Sequence, residues 1–163
     1  MYRGRMPEEK KTPLSQAAFE RLKAELGFLE GEGRQKIIEA IATARAHGDL
    51  SENAEYHAAK DQQGMQEARV RQLRQMLESA EIVKGDDSGV AKPGMLVTIK
   101  YQDDDETETY FLGLREEKGG EFDVLTPESP IGKALLGRSA GEAVVAEVPT
   151  GALKVQLVDV RSP

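Results

Sequence analysis

The chain has 163 residues, no cysteine and a formal net charge of −7. Without cysteine it has no disulfide and no thiolate metal site, which fits a reducing compartment and argues against redox chemistry. No apolar run approaches the roughly 18 to 20 residues that span a bilayer, and the polar first residues lack the apolar core of a signal peptide. We therefore expect a soluble, cytoplasmic protein with no membrane partner.

The first patterned segment predicts a long helix. Its apolar residues recur at steps of three and four, as they do on one face of a helix. A cap at Ser15 and an end near His47 give a length of roughly 45 to 50 Å at about 1.5 Å per residue. Gly31 and Gly33 lie inside this helix and each costs about 1 kcal/mol relative to alanine, so we expect a bend there. The stripe comprises Phe19, Leu22, Leu26, Leu29, Ile37, Ile41 and Ala44.

A second helix carries a partner stripe in a single heptad frame. Each stripe is only about two residues in seven wide, which suits two helices that pack on each other and are solvated elsewhere. The sequence therefore predicts an antiparallel coiled-coil hairpin over residues 15–83, with an exposed tip over residues 47–57. The second stripe comprises Tyr56, Ala59, Gln63, Gln66, Val70, Leu73, Leu77 and Ala80.

The hairpin is predicted to turn at residues 48–51. Gly48 best tolerates the left-handed conformation that closes a helix, and Asp49 or Ser51 can cap the next helix. Two acids, Asp49 and Glu52, stand in or beside this turn. Their position at the end of two long arms suggests that the tip reaches into a partner.

Three interpretations of these two acids stay open on spacing alone. In the first, Asp49 is a helix N-cap and Glu52 completes a capping box, so both acids are structural. In the second, the acids join His47 and His57 in a metal site, although this spacing makes it hard for all four groups to converge. In the third, Asp49 and Glu52 enter another macromolecule's active site, where they help to hold a hard cation and order its water.

Charge is distributed unevenly along the chain. Residues 1–80 contain 13 basic and 13 acidic side chains, whereas residues 81–163 contain 9 and 16. The acidic second half argues against broad duplex binding by phosphate neutralisation. Basic side chains of the hairpin either contact a phosphate backbone locally or form solvated pairs, such as Glu67 with Arg71. They include Arg34, Lys36, Arg45, Lys60, Arg69, Arg71 and Arg74.

A change of pattern between Val83 and Gly94 marks the expected domain boundary. We expect a disordered start over residues 1–14 and a second domain over residues 84–163. Alternating apolar residues separated by turn signals predict a small β-sheet in this domain. Its strands are expected at residues 95–101, 108–114, 122–125, 141–148 and 153–160.

One short helix is expected within residues 129–137. Pro130 suits its first position and Gly137 suits its end. The domain contains no histidine or cysteine and only scattered aromatic residues, so no catalytic set is visible in it. This composition favours a docking domain over an enzyme.

The tip sequence resembles a known family. The run RAHGDLSENAEYHAAK at residues 45–60, followed by QQG at 62–64, resembles the tip of bacterial transcript-cleavage factors of the GreA/GreB family. The segment FERLKAEL at 19–26 resembles the first helix of that family, and SPIGKALLG at 129–137 resembles its C-terminal segment. The closer resemblance within the family is to GreA.

The resemblance implies an α+β fold, with an N-terminal antiparallel coiled coil and an FKBP-like C-terminal domain. It also implies a transcription elongation factor whose coiled coil enters the secondary channel of a backtracked bacterial RNA polymerase, near the nascent RNA 3′ end. There Asp49 and Glu52 would help the polymerase to hold a second Mg²⁺ and to position the attacking water. The polymerase would remain the catalyst, so we expect no enzyme activity and no cofactor in the free protein, which is expected to be a monomer.

Further roles are carried over residue by residue from the resemblance. Four residues around the two acids are expected to support the tip: Leu50, Asn53, Tyr56 and His57. Four residues before and within the short C-terminal helix match the loop that grips the rim of the polymerase channel: Glu128, Ser129, Pro130 and Ile131.

Two other functions remain as alternatives. A factor of the same shape can block the polymerase channel without stimulating cleavage, although the retained Asp and Glu spacing favours stimulation. The FKBP-like resemblance also suggests a peptidyl-prolyl isomerase, but the sparse aromatic residues offer little material for a proline pocket.

Overall fold

The protein is described here by a computed structural model that defines residues 11–49 and 52–163. The chain forms two compact units. Of the described residues, the first contains Lys11, Thr12 and Phe19–Ala80, and the second contains Pro13–Ala18 and Glu81–Pro163. No helix in the described ranges is both long and apolar enough to cross a membrane.

The helical hairpin contains three helices: α1 (Gln16–Glu30), α2 (Glu32–Arg45) and α3 (Ala54–Glu78). The expected bend in the first arm is confirmed as an interruption at Gly31, whose φ of −104° and ψ of −103° are not helical. Gly33 has a different role. A Cβ at this buried position would lie 3.1 Å from the side-chain nitrogen of Gln66 on α3, so glycine permits a close approach of the two arms.

Both predicted stripes are confirmed as the seam of the hairpin. On both arms the stripe residues are buried or half-buried and recur at steps of three and four. Most residues between them are exposed. Near the tip, Tyr56 packs against a cluster of Ile37, Ile41 and Ala59. The buried seam residues are Leu22, Ile37, Ile41, Ala44, Ala59, Val70 and Leu73.

Three arginine–glutamate pairs connect the arms. The guanidinium groups of Arg34, Arg69 and Arg74 each donate two hydrogen bonds to one carboxylate of the opposite arm. The predicted pair of Glu67 with Arg71 is wrong, since Glu67 accepts from Arg34 across the hairpin instead. The pairs are Arg34–Glu67, Arg69–Glu25 and Arg74–Glu30.

The start of the chain departs from expectation. Residues 1–10 lie outside the described residues, but Thr12–Leu14 forms strand β1, which pairs with β2 (Ala80–Ile82) in a two-stranded sheet. The prediction of a disordered start is therefore wrong for these three residues. Ser15 is confirmed as the cap of the first helix, because its hydroxyl oxygen accepts the N–H of Ala18 at 3.1 Å.

The second unit is built on a five-stranded mixed sheet in the order β5-β4-β3-β7-β6. Strands β4 and β5 are parallel and the other neighbours are antiparallel. The strands lie within one or two residues of most predicted bounds, so the strand predictions are confirmed. They are β3 (Leu96–Tyr101), β4 (Thr107–Leu112), β5 (Asp123–Leu125), β6 (Ala143–Val148) and β7 (Gly151–Arg161).

Helix α4 (Pro130–Leu135) covers the core of this sheet, and a short 3-10 helix spans Arg115–Glu117. Alternate residues of β3 and β7 point into the core, as expected for strands with one buried face. Val148 pairs with Gly151, so β6 and β7 form the predicted hairpin. The predicted α+β class, a helical hairpin and then a small sheet domain with one short helix, is confirmed. Fully buried core residues include Met95, Ile99, Leu112, Leu135 and Leu157.

Candidate functional site at the hairpin tip

The loop between the arms holds both predicted acids. Helix α2 ends at Arg45 and α3 begins at Ala54, so Asp49 and Glu52 belong to the connection. Gly48 has a φ of +138°, a conformation that favours glycine, which confirms its predicted part in the turn. Leu50 and Ser51 lie outside the described residues, so the predicted role of Leu50 at the tip stays a prediction.

The predicted cap of the second arm is wrong. Asn53, not Asp49 or Ser51, is the N-cap of α3, and its Oδ1 accepts the N–H of Tyr56 at 3.0 Å. The first interpretation of the acids therefore fails, since a helix that begins at Ala54 leaves both Asp49 and Glu52 before its cap. The acids do not form a capping box.

Asn53 also binds the other arm. Its Nδ2 donates a hydrogen bond to the carbonyl oxygen of Ala44 in the last turn of α2, at 2.5 Å. One partly buried amide therefore joins the end of the first arm to the start of the second. The family resemblance implies that Asn53 supports the tip, but it did not indicate the Ala44 carbonyl as a partner.

Asp49 and Glu52 are both exposed on this loop. The backbone N–H of Glu52 donates to the carbonyl oxygen of Asp49 at 3.4 Å, so a turn brings their backbones together. The exposure of two neighbouring carboxylates leaves them accessible to a partner. Carboxylates bind hard cations through oxygen.

The aromatic side of the tip is partly packed. Tyr56 is half-buried, and its ring lies 5.7 Å from the guanidinium carbon of Arg45. The exposed ring of His57 meets Tyr56 edge to face, with centroids 5.6 Å apart. The Nε2 of His47 lies 4.0 Å from a carboxylate oxygen of Glu55. Tyr56 is thus partly packed and His57 is exposed, and their predicted support of the tip stays a prediction.

The metal interpretation of the tip gains no support from the free protein. Within residues 11–49 and 52–163, no group of three or more His, Asp or Glu side chains is placed to hold a metal ion. His47 contacts Glu55, and His57 stacks on Tyr56, so the structure gives these two rings other neighbours.

The predicted polymerase-binding segment, residues 128–131, spans the start of α4. Ser129 caps this helix: its Oγ accepts the N–H of Gly132 at 3.1 Å and donates to the carbonyl oxygen of Thr126 at 2.7 Å. Pro130 is the first helical residue, as predicted. Glu128 and Pro130 are exposed, whereas Ile131 packs partly against the core. Glu128 and Pro130 are therefore the two residues of this segment that are exposed to solvent.

Comparison with known proteins bears on the family of the chain. Residues 12–82 match a family model described as "Transcription elongation factor, N-terminal", and residues 86–162 match "Transcription elongation factor, GreA/GreB, C-term". Among similar proteins named "Transcription elongation factor GreA", that of Saccharopolyspora erythraea is 47% identical over 94% of this chain and 96% of its own length. That of Bacillus cytotoxicus is 39% identical over 96% and 100%.

Solved structures give weaker matches. "Structure of the transcription factor Gfh1" aligns over 93% of this chain and 97% of that chain, at 24% identity and a TM-score of 0.45. "Prokaryotic transcription elongation factor GreA/GreB from Nitrosomonas europaea" aligns over 93% and 99%, at 19% identity and a TM-score of 0.38. The family assignment depends on the sequence matches alone. Because the two family models together span residues 12–162 with a gap of three residues, the chain belongs to the GreA/GreB family of transcription elongation factors.

Proposed function

We propose that the protein binds bacterial RNA polymerase in the cytoplasm and stimulates the polymerase to cleave backtracked nascent RNA. In this proposal the helical hairpin enters the secondary channel as a monomer, and its tip meets the RNA 3′ end. Cleavage would remove the displaced end and rescue an arrested complex. The chain itself would not be an enzyme, because the polymerase performs the reaction.

The observation that carries this proposal is the presentation of Asp49 and Glu52. Both carboxylates are exposed on a loop whose two ends are joined through Asn53. Both acids precede Asn53, so neither is the N-cap of α3. Two exposed acids between the paired arms suit delivery into a partner's site.

The donor chemistry fits Mg²⁺. This ion prefers oxygen ligands and keeps several waters, so one or two protein carboxylates are enough when other ligands are supplied elsewhere. Asp49 and Glu52 would hold the ion together with groups of the polymerase, and they would not form a complete site alone. When bound, such an ion stabilises charge on the attacking and leaving oxygens of a phosphodiester.

The segment at the start of α4 is proposed to contact the rim of the polymerase channel. Glu128 and Pro130 are exposed there, and the cap at Ser129 fixes the local backbone. This contact would give affinity, while the tip acids would give stimulation of cleavage. The two properties are therefore expected to separate on mutation.

The proposal is tested with backtracked RNA polymerase complexes that carry 5′-labelled RNA in the presence of Mg²⁺. Addition of the protein is expected to shorten the labelled transcript and to release a short 3′ fragment. Matched complexes with the RNA 3′ end in the active site provide the control, because they expose no displaced RNA. Slowed elongation without transcript shortening would contradict the proposal and would favour a factor that only blocks the channel.

A further inference from the structure

The helical hairpin has one level at which the backbones of both arms are weakened. On the first arm the helix is interrupted at Gly31, and no side chain caps α2, which begins at the next residue. On the second arm, Gly64 lies inside α3 and is exposed. A glycine inside a helix lowers its stability relative to alanine, because the glycine backbone has more freedom to lose.

The two glycines lie at the same height of the hairpin. The side-chain amide of Gln66 on α3 donates to the carbonyl oxygen of Leu29 at 3.5 Å. Gly31 follows Leu29 by two residues, and Gly64 precedes Gln66 by two residues. Because the arms run in opposite directions, these two steps of about 3 Å lead from the contact to the same level.

The seam at this level holds little apolar packing. On α3, no buried apolar side chain lies between Ala59 and Val70. The seam positions there are Gln63 and Gln66, which are half-buried. The buried residue of the first arm at this height is Gly33, and a Cβ on it would lie 3.1 Å from the side-chain nitrogen of Gln66. A hydrogen bond of 3.5 Å is long, so the Gln66 amide holds the arms together only weakly.

Apolar packing resumes on both sides of this level. Toward the tip, Tyr56 packs against a cluster of buried residues that includes Ile41. Toward the base, Val70 and Leu73 are buried. The hairpin thus has two packed halves, and the residues between them offer the least resistance to bending.

We infer that Gly31, Gly33, Gly64 and Gln66 form a hinge at which the hairpin bends, and that this bend brings the tip into the placement needed for cleavage. The inference rests on the function proposed above. Hinges absorb backbone changes at a few positions, often small residues. Reaction rates depend on placement to within about 1 Å, whereas affinity for the polymerase is assigned to residues 128–131. A stiffer hinge should therefore slow cleavage and leave binding unchanged.

Two substitutions stiffen the hinge at a distance from the tip. Gly64→Ala strengthens α3, and there is open space around the added Cβ. Gln66→Leu replaces a polar seam residue by an apolar one, which suits a heptad seam. Gln75→Leu, at an exposed position on the same helix, is the matched control for the change in polarity.

Bending of the free protein is measured by pulsed electron paramagnetic resonance on the full chain. Because the protein has no cysteine, Lys23→Cys and Glu39→Cys place one spin label on each side of the hinge, at exposed positions. We expect a broad distribution of distances between the labels. Gly64→Ala and Gln66→Leu together should make this distribution at least about twofold narrower, since both restrict the same bend. Gln75→Leu should leave it broad.

Cleavage of backtracked complexes is then measured over a range of factor concentrations. The chain with Gly64→Ala and Gln66→Leu should unfold about 2 to 4 °C higher than the native chain. Its maximal cleavage rate should be about tenfold lower, at an unchanged half-saturating concentration. Loss of folding does not explain slower cleavage by a more stable protein, so this combination of results identifies the hinge.

Three outcomes overturn the inference. One is a distance distribution that the two hinge substitutions leave unchanged. Another is a native maximal rate for the stiffened chain, and the third is slower cleavage that a weaker half-saturation fully explains. Failure of the proposed function is distinct from these outcomes. If the native chain stimulates no cleavage, the proposed function fails, and the label distances alone decide whether the hairpin has a hinge.

Discussion

The carboxylate of Glu117 accepts two hydrogen bonds from Ser15, whose N–H lies 2.7 Å from Oε1 and whose hydroxyl lies 2.6 Å from Oε2. The two residues are 102 positions apart in the chain and belong to the same compact unit. Glu117 is the only charged side chain that is buried within the described residues. A carboxylate from the 3-10 helix therefore secures the residue that caps α1.

Loss of this contact is expected to destabilise the second unit. Ser15→Ala removes the cap of α1 and leaves the buried Glu117 carboxylate short of a donor, so the free energy of unfolding should fall by about 2 kcal/mol. Urea unfolding of the full chain measures this change. Glu121→Gln, at an exposed position, serves as the control. A Ser15→Ala protein as stable as the control would show that the contact adds nothing.

The tight turn before α4 predicts a strong effect at Gly132. A Cβ on this buried glycine would collide with the carbonyl oxygen of Thr126. Gly132→Ala should therefore lower the free energy of unfolding by about 1 to 3 kcal/mol, as overpacking does in general. Lys133→Ala, exposed on the same helix, is the matched control. Equal unfolding midpoints for the two variants would contradict the predicted collision.

The arginine–glutamate pairs of the hairpin predict a modest stability that depends on salt. The Arg34 and Glu67 side chains are 36% and 39% exposed, so solvent screens much of their attraction. A double-mutant cycle with Arg34→Met and Glu67→Gln should give a coupling of about 0.5 kcal/mol at low salt, and less at 1 M salt. No coupling at low salt would argue against the pair in solution.

The loop before β3 predicts a local response to pH. The ammonium group of Lys92 and two hydrogen bonds from Ser88 lower the pKa of Asp86 from its ordinary value to about 2. A lowered pKa in the folded state means that the contribution to stability is present above the ordinary pKa and is lost as pH falls towards 2. Lys92→Met should raise this pKa in an NMR titration. An unchanged titration of Asp86 would show that Lys92 is not its main partner.

The repeating parts of the fold could be predicted because they follow a period. The seam of the hairpin and the strands of the sheet bury residues at fixed spacings, and the spacing is visible in the sequence. Strand β1 has only three residues, Thr12–Leu14, which is too short to show a period. Its partner β2 (Ala80–Ile82) is equally short and begins two residues after the end of α3. Neither strand therefore shows a strand-like alternation in the sequence.

The cap of α3 illustrates why the site was only partly predictable. Asp49, Ser51 and Asn53 all carry oxygens that accept from a helix N-terminus, so local chemistry does not choose among them. Asn53 alone also carries an amide donor, and its bond to the Ala44 carbonyl depends on how the arms pair. The choice of cap is thus made by a contact with the other arm, which a local pattern does not contain.

Cross-arm charge pairs are a similar case. Arg34, Arg69 and Arg74 were expected either to contact phosphate or to pair with neighbours on their own helix. Each instead binds a glutamate of the opposite arm. The interruption at Gly31 lies between Glu30 and Arg34, which take part in two of these pairs. The pairing of these charged side chains therefore depends on how the two arms pack together.

The central claim is that Asp49 and Glu52 act in cleavage and not in binding. Its most direct measurement compares Asp49→Asn and Glu52→Gln with Asp61→Asn, a matched loss of an exposed acid on α3, in cleavage and binding assays on the same backtracked complexes. We predict that both tip variants bind with near-native affinity but lose stimulation by about 100-fold or more, since a lost metal ligand removes several kcal/mol of transition-state stabilisation. Asp61→Asn should cleave normally. Native cleavage by both tip variants would contradict the account.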